Sequence, residues 1–130
     1  MANILVKLTA LFFIGYGLAF ALFPIEMAIS ITGAAPGSAS ALMDVRATYG
    51  GMTIAVGVML MMLTKNKDSL RFALLSIAII LLFMAASRVL GMVMDGTPNG
   101  FMYGYLVAEI IGAAIAIGLH RSMKQEQPNS

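Results

Sequence analysis

Arg46, Arg88 and Glu109 are charged residues that lie within largely apolar stretches of the sequence. A guanidinium group presents planar, forked donors that suit carboxylates, phosphates and carbonyls, and a carboxylate in the same layer can neutralise it or handle a proton. A lone charge at the centre of a membrane helix costs about 2.5–3.5 kcal/mol on insertion scales, so such residues normally have a partner. These residue types therefore indicate an anion-binding site, a helix-locking ion pair or a proton-coupled carboxylate.

The other residue types disfavour several kinds of site. The sequence has no cysteine and one histidine, so thiolate ligands and cysteine nucleophiles are missing, and we expect no metal and no cofactor. Ser87 has no His or Lys base in its layer, which leaves nucleophilic catalysis unsupported and makes an enzyme the less favoured class. The twelve methionines are typical of flexible apolar filling rather than of Cu(I) ligation. Eight basic residues without an aromatic-interleaved stripe do not fit nucleic-acid binding.

Composition places these charges in a membrane. Hydrophobic residues make up 60% of the chain and charged residues 11%, with a mean hydropathy of +0.92, whereas about a quarter of residues are charged in soluble domains. Four stretches reach the roughly 20 apolar residues that a spanning helix needs: residues 4–23, 43–63, 72–94 and 101–119. The sequence predicts an all-α protein, a four-helix transmembrane bundle in one domain of residues 1–120, followed by a polar cytoplasmic tail of residues 121–130.

The connections predict an orientation. Residues 24–42 carry prolines and glycines around an amphipathic segment and predict an interfacial helix or loop, and residues 64–71 and 95–100 are predicted to be tight turns. If the four spans alternate, most basic residues flank one side of the membrane. They are Lys7, Lys65, Lys67, Arg71, Arg121 and Lys124. We therefore expect both termini in the cytoplasm.

Matching depth pairs the third span with the fourth. At 1.5 Å per residue, Arg88 lies roughly 9 Å and Glu109 roughly 12 Å from the outer ends of their helices. The two charges are therefore expected to form an ion pair.

Four further residues are predicted to join this pair under the outer surface. Arg46 and Tyr49 enter at the outer end of the second span, Asp95 shares a helix face with Arg88, and Tyr105 lies one turn above Glu109. The predicted polar cluster or ligand-binding site is therefore Arg46, Tyr49, Arg88, Asp95, Tyr105 and Glu109.

Small residues recur at helical spacing in two spans. In the second span, Arg46, Gly50, Thr53 and Gly57 step by four, three and four, and so share one face. A fourth-span ridge repeats every four residues: Gly100, Gly104, Ala108, Gly112 and Ala116. Such positions let another helix backbone approach closely, so besides the lipid bilayer we expect a second copy or a partner membrane protein. The predicted helix-packing residues are Gly50, Gly51, Gly104, Ala108 and Gly112.

Three motifs occur together in this chain. They are Arg46-Ala-Thr-Tyr49-Gly50-Gly51, Arg88-Val-Leu-Gly91 followed by Asp95-Gly96-Thr97-Pro98, and Glu109 in the fourth span. In this combination the chain resembles the DUF4345 family of small bacterial membrane proteins over nearly its whole length, most strongly over residues 44–112. The resemblance implies a multi-pass protein of the bacterial inner membrane, and it implies no reaction because the family's function is not established.

Two classes of function fit these residues. The favoured class is a binding or transport module with an outward-facing polar pocket for an anionic or lipid-like small molecule. The alternative is an accessory or structural subunit that packs against a partner membrane protein through its glycines, with Arg88 and Glu109 locking two helices together. An integral-membrane enzyme comes third.

Overall fold

A computed structural model describes the backbone of residues 1–125 and the side chains of residues 1–123. Within that range the chain forms helices, turns and loops, and no strand. The helices are α1 (Ala2–Leu22), α2 (Pro24–Thr32), α3 (Ala39–Met62), α4 (Lys67–Met94) and α5 (Gly100–Gln125). All except α2 are long and apolar enough to cross a membrane. The predicted all-α class with four spans is confirmed.

The chain forms two compact units. The α1–α3 unit comprises Lys7–Met62, and the α4–α5 unit comprises Met1–Val6 together with the residues from Leu63 onward. Both units expose large apolar side chains, among them Phe12 in the first and Phe83 in the second. Helices with apolar residues around their circumference are typical of membrane spans. The single domain over residues 1–120 stays a prediction.

The predicted interfacial segment contains the helix α2, followed by a loop. Pro24 occupies the first turn of α2, where its missing N–H and fixed φ suit a helix start. Gly33 ends the helix in the left-handed region with φ +86°, a conformation that glycine adopts without steric cost. Buried Pro24, Ala28 and Ile31 line one side of α2, while Ile25 is exposed. A short helix and a loop, as predicted for residues 24–42, are present over residues 24–38.

Helix α3 differs from the predicted second span at its start and in its winding. It begins at Ala39, because the Ser38 side chain accepts a hydrogen bond from the Ala41 backbone N–H and caps the first turn. Residues Arg46–Met52 are wound as a π-helix, and α-helical winding resumes at Thr53. Short π-helical insertions are rare and occur often at functional sites. This insertion covers the motif that opens with Arg46.

Helix α4 begins earlier than predicted, so the expectation of a tight turn over all of residues 64–71 is wrong. The Asn66 side chain accepts a hydrogen bond from the Ser69 backbone N–H at 2.8 Å. The negative charge of Asp68 in the first turn also interacts favourably with the positive end of the helix dipole. The segment therefore contains a cap and the first turn of α4 rather than a turn alone.

The other end of the α4–α5 unit has the expected tight connection. Gly96 adopts φ +102°, and α5 starts at Gly100. Helix α5 continues to Gln125, so residues 121–125 of the predicted polar tail are helical. Residues 126–130 of that predicted tail lie outside the described residues.

Candidate functional site

The α4–α5 unit contains the expected ion pair between Arg88 and Glu109. The Arg88 Nη2 donates to Glu109 Oε1 at 2.6 Å, and its Nε donates to Oε2 at 3.1 Å. Such a two-point contact fixes the relative orientation of the two planar groups and is stronger than a single neutral hydrogen bond. Both carboxylate oxygens are therefore engaged by one guanidinium.

Two other side chains of α5 surround this guanidinium. Arg88 Nη1 donates to the Met102 sulfur at 3.0 Å, and the guanidinium carbon lies 5.2 Å from the centre of the Tyr105 ring. A cation over an aromatic face gains electrostatic stabilisation from the ring quadrupole. Met102, Tyr105 and Glu109 are spaced by three and four residues, which places all three on one face of α5. The ion-pair cluster is defined as Arg88, Met102, Tyr105 and Glu109.

Burial is uneven within the ion pair. The Glu109 side chain is 5% exposed and the Arg88 side chain 19%. The carboxylate is thus enclosed by protein, while the arginine keeps part of its surface open. Neutralising each other is what allows both charges to lie on spanning helices at moderate cost.

Asp95 does not join the ion-pair cluster. It follows the last residue of α4, where its backbone N–H donates to the Gly91 carbonyl at 2.7 Å. Its side chain is exposed and makes no hydrogen bond or ion pair to the residues that the structure describes. A shared helix face with Arg88 was therefore insufficient to bring the two together.

Arg46 makes its contact inside the α1–α3 unit. Its Nη1 donates to the backbone carbonyl of Ala21, next to the last residue of α1. The last four carbonyls of a helix have no partner within it, and α1 ends at Leu22, ahead of Pro24. A cation at this end also complements the helix dipole. The arginine that opens an apolar segment is thus a cap for a neighbouring helix.

Tyr49 also contacts a residue of α1. Its ring stacks on Phe20, with centroids 5.2 Å apart and an angle of 29° between the ring planes. The tyrosine remains about half exposed. The predicted cluster of six residues is therefore represented by two sets of contacts: Arg88, Tyr105 and Glu109 in one unit, and Arg46 and Tyr49 in the other.

Glycines of α3 pack closely against α1. A Cβ added at Gly57 would lie 2.7 Å from the Ala10 carbonyl oxygen, and one at Gly50 would lie 3.1 Å from the Ala21 backbone. By contrast, a Cβ at Gly51 would meet only the Arg46 carbonyl oxygen, at 4.0 Å. Of the two glycines predicted to pack in this span, Gly50 has a helix against it and Gly51 has open surroundings.

The residues of α1 that receive these glycines were missed by sequence reasoning. They are Ala10, Ile14, Gly17 and Ala21, where a Cβ at Gly17 would lie 2.8 Å from the Gly50 carbonyl oxygen. Their steps of four, three and four match those of the α3 strip, and this spacing was the available signal.

The two halves of the fourth-span ridge have different surroundings. A Cβ at Gly112 would lie 2.8 Å from Leu81 Cδ1 of α4, and Ala116 is fully buried. A Cβ at Gly104 would have nothing within 4 Å, and Ala108 is exposed. The half of the ridge near the C-terminus therefore packs within the α4–α5 unit, while Gly104 and Ala108 present an open small-residue surface.

These features define a multi-pass, all-helical membrane protein with a buried ion pair in its α4–α5 unit. A family model described as Domain of unknown function (DUF4345) matches residues 1–120, so the chain belongs to that family. This agrees with the resemblance in its motifs. No curated protein and no solved structure matches the chain.

Proposed function

We propose that the protein is a non-catalytic accessory subunit that packs against a partner membrane chain through Gly104 and Ala108. The observation that carries the proposal is the two-point contact between Arg88 and Glu109. Because each charge has its partner inside the α4–α5 unit, the pair is accounted for as a clamp between α4 and α5. The small residues at the start of α5 then have no packing partner among the described residues.

The chemistry of membrane packing supports this proposal. Lipid tails are as apolar as leucine, so spanning helices associate through close backbone approach rather than through the hydrophobic effect. Because Gly112 has no side chain, Leu81 of α4 packs directly against it. Gly104 belongs to the same ridge, and a Cβ added there would have nothing within 4 Å among the described residues. A second copy of the chain or another membrane protein would use that space.

The proposal includes an orientation and a membrane. Both termini are in the cytoplasm, because the basic residues Lys65, Lys67 and Arg121 belong on the cytoplasmic side. The membrane is the bacterial inner membrane. Reporter fusions at Gly37 and at the C-terminus test this. Periplasmic activity is expected only for the fusion at Gly37, and a periplasmic C-terminus would contradict the orientation.

Cysteine crosslinking tests the partner surface without interference, because the sequence has no native cysteine. Gly104→Cys is compared in native membranes with Gly118→Cys, a glycine of the same helix that also has nothing within 4 Å but lies off the ridge. A crosslinked partner or second copy is expected from Gly104→Cys alone. Equal adducts from both positions, or none from Gly104→Cys and Ala108→Cys, would contradict the proposal.

A second candidate function is binding of an anionic, lipid-like small molecule at Arg88. The observation that favours it is the greater exposure of the arginine, 19% against 5% for Glu109. A carboxylate ligand would compete with Glu109 for the same donors. Oleate is a suitable probe, and its retention by the purified protein is measured by native mass spectrometry.

Two substitutions separate this candidate from the clamp. Glu109→Gln removes the competing charge with little change of shape, so oleate retention should increase, and Arg88→Gln should abolish it. In a pure clamp, neither substitution changes oleate retention. Unchanged retention in Arg88→Gln would rule out binding at this arginine.

A further inference from the structure

We infer that one end of the α4–α5 unit is a binding site for the headgroup of an anionic phospholipid. The basic end is defined by Lys65, Lys67, Arg71, His120 and Arg121. These residues come from the turn before α4, the first turns of α4 and the last turns of α5. The site is at the opposite end of the helices from the ion-pair cluster and does not depend on the proposed partner surface.

A hydrogen bond holds the two helices together at the basic end. His120 Nδ1 lies 3.1 Å from the Arg71 carbonyl oxygen. This contact fixes the last turns of α5, which carry His120 and Arg121, against the turn of α4 that carries Arg71. At the same end, Asn3 Nδ2 donates to the Thr64 carbonyl at 3.2 Å and fixes the turn before α4.

The charge at this end is strongly positive. Lys65, Lys67 and Arg121 are exposed and Arg71 is half-buried, whereas Asp68 is the single acidic residue among the described side chains of this end. Lys67 and Arg71 are four residues apart, which places them on one helix face. A phosphate diester is attracted by such a group of basic residues, as in basic sites between spanning helices that hold anionic lipid headgroups.

The surface below the basic end suits an acyl chain. Starting from Lys67 and Arg71, every fourth residue of α4 continues as Leu75, Ile79 and Phe83. These three apolar side chains are 41%, 47% and 71% exposed. Rows of residues spaced by four form ridges on a helix surface. Two cations followed by an exposed apolar row match the charged head and the hydrocarbon tail of a phospholipid, and do not match a free anion.

The test measures lipid retained by the full-length protein after reconstitution in nanodiscs of equal phosphatidylglycerol and phosphatidylcholine, using native mass spectrometry. Each basic residue near an anionic surface contributes about fivefold in affinity, so Lys67→Gln should lower phosphatidylglycerol retention about fivefold. The triple variant Lys65→Gln, Lys67→Gln, Arg121→Gln should lower it at least tenfold. Arg46→Gln removes the same charge from the α1–α3 unit and should leave retention unchanged.

Two further arms keep the inference falsifiable. Circular dichroism and size-exclusion chromatography establish that each variant is folded before retention is compared. Raising the ionic strength from about 0.1 to 0.5 M should weaken retention by the wild type, because salt screens exposed charges. The assignment would be overturned if the protein showed no preference for phosphatidylglycerol, or if the triple variant retained as much of it as the wild type. Displacement of phosphatidylglycerol by an equal concentration of glycerol phosphate would also overturn it.

Discussion

The two units hold their helices together by different means. In the α1–α3 unit, Gly50 and Gly57 bring the backbone of α3 against α1, with the positions of their missing side chains 2.7–3.1 Å from backbone atoms of α1. In the α4–α5 unit, Arg88 and Glu109 form a two-point ion pair, and Gly112 admits Leu81 nearby. One contact depends on the absence of atoms and the other on the presence of two opposite charges.

This difference determines how each unit is damaged. Removing one member of a buried pair leaves a charge that neither lipid nor protein solvates, so a single deletion is costly. A glycine has no side chain to remove, so a close contact at glycine is disrupted only by adding atoms. One added carbon must displace the neighbouring backbone. The two units therefore call for opposite substitutions, and their responses rank in a definite order.

The largest effect is expected from Glu109→Ala, which strands Arg88 in the α4–α5 unit. Removing one partner of a buried pair typically costs about 3–5 kcal/mol. The measurement is the free energy of unfolding in mixed micelles as a function of the SDS fraction. Asp95→Ala is the matched control, because its carboxylate makes no hydrogen bond or ion pair with the described residues and its removal should change stability little.

A double substitution separates the loss of the clamp from the stranding of a charge. Replacing the pair by apolar residues, Arg88→Met with Glu109→Leu, should restore most of the stability lost in Glu109→Ala, because well-packed apolar replacements of buried pairs are often neutral or stabilising. If the double variant is as unstable as Glu109→Ala, the cost does not come from an uncompensated guanidinium.

The sequence was informative where one physical cost dominates. An isolated charge in lipid has to be paired, and matching depth on adjacent spans left Glu109 as the natural partner of Arg88. The thioether of Met102 carries no such cost, because methionine is usually apolar filling, so its contact with the guanidinium was not expected. Four apolar stretches of spanning length likewise fixed the number of long helices.

Features that depend on the exact ends of helices were less predictable. The contact of Arg46 with the Ala21 carbonyl depends on α1 ending at Leu22, and a change of a few residues would remove the acceptor. The π-helical winding of Arg46–Met52 leaves no distinct spacing in the sequence, since the small residues fit an α-helical strip as well. Helix α4 starts at Lys67 because Asn66 caps it, and the charged residues of this segment did not reveal that cap.

An intermediate effect is expected from Gly57→Ala in the α1–α3 unit. The new methyl group would lie 2.7 Å from the Ala10 carbonyl oxygen, so α1 and α3 must move apart, at a cost of about 1–3 kcal/mol. Gly15→Ala on α1 is the control, because its Cβ would have nothing within 4 Å. That variant should be neutral or up to about 1 kcal/mol more stable, since alanine favours helix over glycine. Equal effects of the two variants in the same unfolding assay would contradict the close contact.

The smallest effect is expected from Arg46→Ala. The partner of this arginine, the Ala21 carbonyl, is neutral, so the substitution leaves no unpaired charge behind. Charges that complement an exposed helix end contribute about 0.3–1 kcal/mol, well below the cost of stranding Arg88. The sharper measurement is local: hydrogen exchange of the Phe23 amide, which donates to the Ala19 carbonyl at 2.8 Å, should accelerate when the end of α1 loses its cap. Arg46→Lys retains a donor and a positive charge, so it should preserve most of the protection. If protection of Phe23 is the same in Arg46→Ala as in the wild type, Arg46 does not cap α1, and its position at the start of the π-helical segment has another cause.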